Sequence, residues 1–209
     1  SALLSAEQAQ TVVARFREAY ARLGQPRVLI FVNRTLVDSG AREGREDNVA
    51  STETAVPAPV VPTLADRQTV RDVERLFGRP LRLAGATLID QGSVPVVTGE
   101  SADKADADPS AIDREAVAKV ADVVIEVLIS SRTITLREGG EEVLVGVPDI
   151  QATAIRLSDA QVLGQASATD VLGHDHSAAR KAQRFGVGEI VEATAFALME
   201  DVDSTTGKR

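Results

Sequence analysis

Hydrophobic and polar residues alternate most regularly between residues 122 and 170. Valine and isoleucine occupy every second position from Val123 to Ile129, which is the spacing of side chains on one face of a β-strand. Polar turns at residues 138–141 and 158–161 divide the region into three extended segments. The pattern therefore predicts an antiparallel meander. Its alternating polar residues predict one face covered by helices and one face open to water.

A near-continuous apolar run at residues 27–32 predicts a further strand, buried on both faces in the interior of the sheet. The segment before it has helical spacing, starts with a capping box at Ser5 and Gln8, and ends at Gly24. This first helix is either packed on the rest of the protein or an arm for oligomerisation, and we favour packing.

Three more segments have helical spacing, and one short strand lies between the first two of them. The helices are expected at about residues 66–77, 112–120 and 187–198, and the strand at residues 86–90. The order is then α, β, α, β, α, three antiparallel strands and α. It predicts an α/β (α+β) fold, in which helices pack on a mixed sheet that contains the three-strand meander.

The domain organisation follows from the same pattern. Residues 27–202 form one α/β domain, preceded by a helical segment at residues 1–26 and followed by a frayed tail at residues 203–209. Long polar loops are expected at residues 38–63, which contain several prolines, and at residues 91–109.

Composition restricts the class of partner. The 209 residues carry a net charge of -8, with a pI near 4.9, which argues against nucleic acid and anionic membrane surfaces. The chain has no cysteine, so it has no disulfide and no thiolate metal site. No apolar run approaches the roughly 20 residues that span a bilayer. Any membrane association is expected to come from a signal or lipid-anchor segment that preceded Ser1 and was removed.

Chemical motifs are sparse, and we assign no catalytic residue, no metal ligand and no cofactor. His174 and His176 flank Asp175, and two imidazoles one residue apart can bind one metal ion. A helix start capped by Asp175 or Ser177 explains the same residues. The alternative function is therefore a metal- or small-ligand-binding protein, or a hydrolase that uses His174 and His176.

Asn33 and Arg34 are the candidate interaction residues. They follow the first buried strand, and binding groups are often found in loops held at a strand end. The guanidinium of Arg34 has five donors in a fixed fork, which suits a carboxylate on a partner. A turn residue followed by a solvated arginine is the simpler interpretation.

Four short patterns, in order, resemble those of the curli-secretion lipoprotein family and its relatives, such as the TolB amino-terminal domain and the lipoprotein activators of peptidoglycan synthases. They are VLIFVNRT at residues 28–35, LAGATLID at residues 83–90, VADVVI at residues 120–125 and AIRLSDAQVLG at residues 154–164. The resemblance spans residues 27–202.

The resemblance implies a non-catalytic accessory protein for assembly or secretion in the bacterial cell envelope, periplasmic or associated with the outer membrane. Its expected partner is an envelope protein, and self-association is a second expectation. The chain departs from the family in having no lipidation cysteine. Arg132 and Arg137 also interrupt any membrane-facing alternation, so we do not expect the meander to form a pore.

Overall fold

The computed structural model of the protein describes residues 3–33, 70–94, 114–174 and 176–207. Both the loop predicted at residues 38–63 and most of the loop predicted at residues 91–109 lie outside these ranges. The strands are β1 (Arg27–Asn33), β2 (Thr87–Ile89), β3 (Val123–Glu138), β4 (Glu141–Arg156) and β5 (Val162–Ser167). The helices are α1 (Ala6–Arg22), α2 (Val70–Leu83), α3 (Arg114–Ala118), α4 (Ala168–Leu172) and α5 (His176–Thr206).

These strands form one mixed sheet in the order β2-β1-β3-β4-β5. β1 runs parallel to β2 and to β3, whereas β3, β4 and β5 are antiparallel neighbours. The helix between β1 and β2 is the crossover that a parallel pair requires. The predicted fold class, with its three-strand meander and packed helices, is confirmed.

β1 lies in the sheet interior, as its apolar run predicts. Val28 and Ile30 belong to the main hydrophobic core, while Leu29 belongs to a smaller cluster that does not include them. Because successive side chains of a strand point to opposite faces, β1 is covered on both sides of the sheet.

The first helix is a packed element. Val12, Phe16 and Tyr20 of α1 are buried in the main core, and α1 packs against α5. The Tyr20 hydroxyl donates to the Pro26 carbonyl oxygen at 2.6 Å and accepts from the Thr87 backbone N–H at 3.0 Å. The capping box at Ser5 is present, with Gln8 as its second member.

The prediction of one wet face for the meander is wrong at the end of β3 that lies near α3. Val124 of β3 and Leu29 of β1 point away from the main core and are buried in the second cluster. Val117 of α3 and Ala121 complete this cluster together with Val94. A single turn of helix is therefore enough to cover the second face locally.

Two predicted boundaries also change. α5 continues to Thr206, so most of the tail predicted from residue 203 is helical, and the Arg22 guanidinium pairs with Asp203 at 2.9 Å. The loop predicted from residue 91 begins with a short 3-10 helix, Gln91–Ser93, followed by the buried Val94. α5 is interrupted at Gly186, whose φ of 70° lies outside the helical region.

Candidate functional site

Asn33 is the last residue of β1 and is paired with Leu128 of β3. From β1 the chain crosses to β2 on one side of β1 and later to β3 on the other side. The end of β1 is therefore a topological switch point. Open α/β sheets commonly bind ligands at such a point. Arg34 lies outside the described residues. An interaction role for both residues stays a prediction.

Side chains of α2 hold the segment next to this strand end. The Val32 N–H donates to Gln91 Oε1 at 3.3 Å, and the Gln91 N–H donates to Glu74 Oε1 at 3.4 Å. Asp90 caps the following turn and pairs with Arg71 at 2.9 Å. A groove of about 450 Å³ lies between α2 and the edge strand β2.

The two candidate metal ligands lie in the link between α4 and α5. His174 is exposed, Asp175 is outside the described residues, and His176 is the first residue of α5. Arg132 reaches this link from β3, where its Nη2 donates to the Gly173 carbonyl oxygen at 2.9 Å. Asn33 lies at the end of β1, so the structure does not bring it together with the two histidines in one site.

The described part of the chain has neither a cluster of metal-ligand side chains nor a helix suited to crossing a membrane. It contains no group of three or more His, Asp or Glu side chains placed to hold a metal ion. None of its helices combines the length and the apolar character that crossing a membrane requires.

The most prominent surface feature is a two-stranded ribbon at the end of the sheet. β3 and β4 remain paired from Ile129 and Ile150 as far as the turn at Gly139 and Gly140, whereas β1 pairs with β3 only up to Leu128. β5 also pairs with β4 only over residues 151–155. We call residues 129–150 the distal ribbon. No described strand pairs with either of its edges.

In the distal ribbon, the buried side chains lie on the opposite face of the hairpin from the buried side chains of its other half. On β3 the buried positions are odd-numbered up to Ile129, but the buried residue near the tip is Leu136. On β4 the even-numbered Ile150 is buried, whereas Val147 and Val145 are the buried residues closer to the tip. The register between the strands does not shift, so both strands exchange faces together.

This exchange leaves Leu144 on the outer face of the ribbon, where it is 62% exposed. Leu144 is paired with Thr135, and the neighbouring pairs on the same face are Thr133 with Gly146 and, towards the tip, Arg137 with Glu142. Val143 is 42% exposed beside it and points to the other face of the ribbon. The ribbon thus presents exposed apolar side chains near its tip.

The tip itself is acidic. Arg137 Nη2 lies 3.2 Å from Glu142 Oε1, and both side chains are largely exposed. Glu141 has no ion-pair partner in the part of the chain that the structure describes. A protein that bound the ribbon would therefore contact exposed apolar side chains next to the Glu141 carboxylate.

Two ion pairs hold the other end of the sheet. Arg27 donates two side-chain hydrogen bonds to Asp122, at 3.0 and 3.1 Å, and these lower the pKa of the Asp122 carboxyl. Arg156 binds Asp159 in the same way and, with the Gln161 backbone N–H, lowers the pKa of Asp159 to about 2. Asp122 thus joins the start of β1 to the start of β3, and Asp159 holds the turn between β4 and β5.

The comparisons with known proteins identify no family. No protein-family model and no curated protein matches the chain. Among solved structures, the chain is similar to the hypothetical protein CT253 from Chlamydia trachomatis, with 12% identity and a TM-score of 0.37. The match covers 88% of this chain and 99% of that one.

The exposed residues of the distal ribbon and the arginines of the groove beside α2 are not singled out by the sequence patterns. Val143 and Leu144 were counted as strand positions only, because a strand alternation does not show which face is covered. Arg75 and Arg82, which line the groove beside α2, were not singled out. The signal for them was present, since residues seven apart lie on the same side of a helix.

Proposed function

We propose that the protein is a non-catalytic accessory or assembly protein of the bacterial cell envelope, which binds an envelope protein through the distal ribbon. The observation that carries the binding role is the pair of exposed side chains Val143 and Leu144 on a ribbon whose edges have no described strand partner. The envelope location is supported by the resemblance of residues 27–202 alone.

The ribbon is suited to binding for two physical reasons. The edges of the ribbon have no described strand partner, and unpaired edge groups can form hydrogen bonds with a strand of another chain. Exposed apolar side chains near the tip gain stability when a partner buries them. Leu144 and Val143 lie on opposite faces of the ribbon, so a partner that enclosed the tip of the ribbon would contact both. Thr133 and Thr135 beside Leu144 are uncharged, whereas the Arg137–Glu142 ion pair borders Leu144 on the tip side.

The ribbon's role is testable with a double substitution, Val143→Thr and Leu144→Thr. Threonine retains strand propensity and removes apolar contact area, so the variant should keep its melting temperature and lose partner binding. Loss of buried apolar area at both positions should weaken the complex about tenfold or more. The measurement is affinity isolation from the native envelope with the tagged full-length chain, followed by quantitative mass spectrometry.

The matched control is Val162→Thr on β5, because Val162 is a strand valine with 44% exposure, close to that of Val143. Proteins enriched by the parent chain should remain enriched by the control and be depleted in the double variant. Equal enrichment by the double variant would reject the ribbon as the binding surface. If light scattering finds a dimer that the double variant dissociates, the partner is a second copy of this chain.

A further inference from the structure

Two edges of the sheet are obstructed for pairing with another strand, and one is open. On β5 the Gln165 N–H donates to the Asp201 carboxylate at 2.7 Å, and the Ser167 N–H donates to Asp170 at 2.7 Å. On β4 the distal ribbon contains Pro148, which has no N–H to donate. The β3 edge of the ribbon has no proline and no described neighbour. This edge is therefore open to another strand.

The odd-numbered residues of β3 direct their backbone groups to the open edge. Successive residues of a strand in an antiparallel sheet bond alternately to the two neighbouring strands. The Gln165 N–H is bonded to Asp201, away from β4, so Thr153, its partner in register, bonds to β3 instead. The register of β3 with β4 is continuous, so the even-numbered residues of β3 bond within the ribbon. The N–H and carbonyl groups of Thr133 and Thr135 thus face outward.

The open edge is complementary to the same edge of a second copy in one antiparallel register. In this register Thr135 lies opposite Thr135 of the second copy, which pairs outward-facing residues with one another as the hydrogen bonds require. The half-buried Ile134 then lies opposite Leu136, and Arg132 lies opposite Glu138, and each pair occurs twice. Apolar and opposite-charge pairs across strands are stabilising. A shift of the centre to Ile134 would place Arg132 opposite Leu136 instead.

Neither charged position of this register is compensated across the ribbon. Glu138 is in register with Glu141, a like-charge pair that disfavours the tip. Arg132 is in register with Val147 and forms no ion pair within the described ranges. Its Nη2 donates to the Gly173 carbonyl oxygen, and its buried Nε has no hydrogen-bond partner among the described residues. A second copy would provide an opposite charge at both positions.

We propose that two copies of this chain associate through the β3 edges of their distal ribbons, antiparallel and centred on Thr135. The two ribbons then form one four-stranded sheet, and the remaining parts of the two copies lie at its opposite ends. No like charges face each other, since Arg137 lies opposite Thr133. The contact is short, so monomer and dimer exchange. It uses the backbone of β3, whereas the proposed function rests on Val143 and Leu144 of β4, so the inference goes beyond that function.

Single-cysteine variants report the contact directly, because the chain has no cysteine of its own. In the proposed register the two Thr135 Cα atoms are about 5.5 Å apart, which a disulfide can bridge. Thr135→Cys should therefore form a disulfide-linked dimer under mild oxidation. Thr133→Cys is the matched control and should not, because the two copies of position 133 are more than about 13 Å apart. Both threonines are exposed, so neither substitution should change the melting temperature.

Sedimentation velocity over a range of protein concentrations measures the association itself. Thr135→Pro removes the outward N–H at the centre of the contact and no hydrogen bond within the ribbon. Its dissociation constant should therefore be about tenfold higher than that of the parent, or more, because each copy loses one hydrogen bond. Thr135→Ala retains the N–H and should stay within about threefold of the parent.

Equal crosslinking of Thr135→Cys and Thr133→Cys would overturn the proposal by showing random collision, and crosslinking of neither would also overturn it. A Thr135→Pro protein that associates as the parent does would contradict the backbone pairing. The Val143→Thr/Leu144→Thr variant should still dimerise, and its failure to do so would overturn the proposal by placing the contact on β4. Since that variant is expected to lose the envelope partner, the dimer and the proposed function can fail separately.

Discussion

Replacing Ile125 with aspartate is expected to unfold the protein or to lower its free energy of unfolding by several kcal/mol. Ile125 is 3% exposed in the central strand β3, between Ile30 of β1 and Ala154 of β4. A carboxylate there is surrounded by apolar side chains. It must either remain charged without a partner or take up a proton at the cost of its hydration. Domains are typically stable by only about 5–15 kcal/mol, so the loss removes much of the total.

Thermal and denaturant unfolding followed by circular dichroism measure this effect. Ile125→Val is the conservative comparison and should cost about 0.5–1.5 kcal/mol. Thr135→Asp places the same carboxylate on the same strand at an exposed position, where it should change the stability little. An Ile125→Asp protein that melts close to the parent temperature would show that the assigned core face of β3 is wrong.

Gly164→Ala is expected to destabilise the protein by about 1–3 kcal/mol, although it adds only one methyl group. A Cβ atom at Gly164 would lie 2.6 Å from Val202 Cγ2 and 3.0 Å from the Val202 backbone nitrogen. The backbone of α5 would have to move away from β5. Asp201 opposes this movement because its carboxylate accepts from the Gln165 N–H of β5 at 2.7 Å. In a domain of this size the melting temperature should fall by roughly 2–4 °C for each kcal/mol.

Gly188→Ala provides the contrasting substitution. A Cβ atom there would be 3.4 Å from Leu76 Cδ1, which is ordinary van der Waals contact, and alanine favours the helix by up to about 1 kcal/mol. Gly188→Ala should therefore leave the melting temperature unchanged or raise it. Adding Val202→Ala to Gly164→Ala should recover only part of the loss, since the backbone contact remains. A Gly164→Ala protein as stable as the parent would contradict the close approach of α5 to β5.

The sheet was predictable from sequence because its signals are local. The alternation from Val123 to Ile129 and the turn at Gly139 and Gly140 specify paired strands without reference to the rest of the chain. The capping box at Ser5 likewise fixes the start of α1. These elements appear where they were expected.

The contacts between elements were less predictable. The sequence identifies Gly164 only as a strand position, and the close contact with α5 is visible only in the structure. The alternation likewise places Val124 on the solvent face, whereas in the structure α3 covers it. The buried face of the hairpin changes between Ile129 and Leu136. The sequence does not show this change, because apolar and polar residues alternate in both halves of the hairpin. The outer face around Leu144 follows from that exchange, so the candidate binding surface required the structure.

We propose that the outer face of the distal ribbon contacts another protein in the cell. The most direct measurement replaces Leu144 with a photo-crosslinking amino acid in the full-length chain, irradiates intact cells and detects covalent adducts. Val162 provides the comparison position, since it is a partly exposed strand residue outside the ribbon. We expect a discrete adduct from position 144 that position 162 does not give. No adduct from position 144, or the same adducts from both positions, would contradict it.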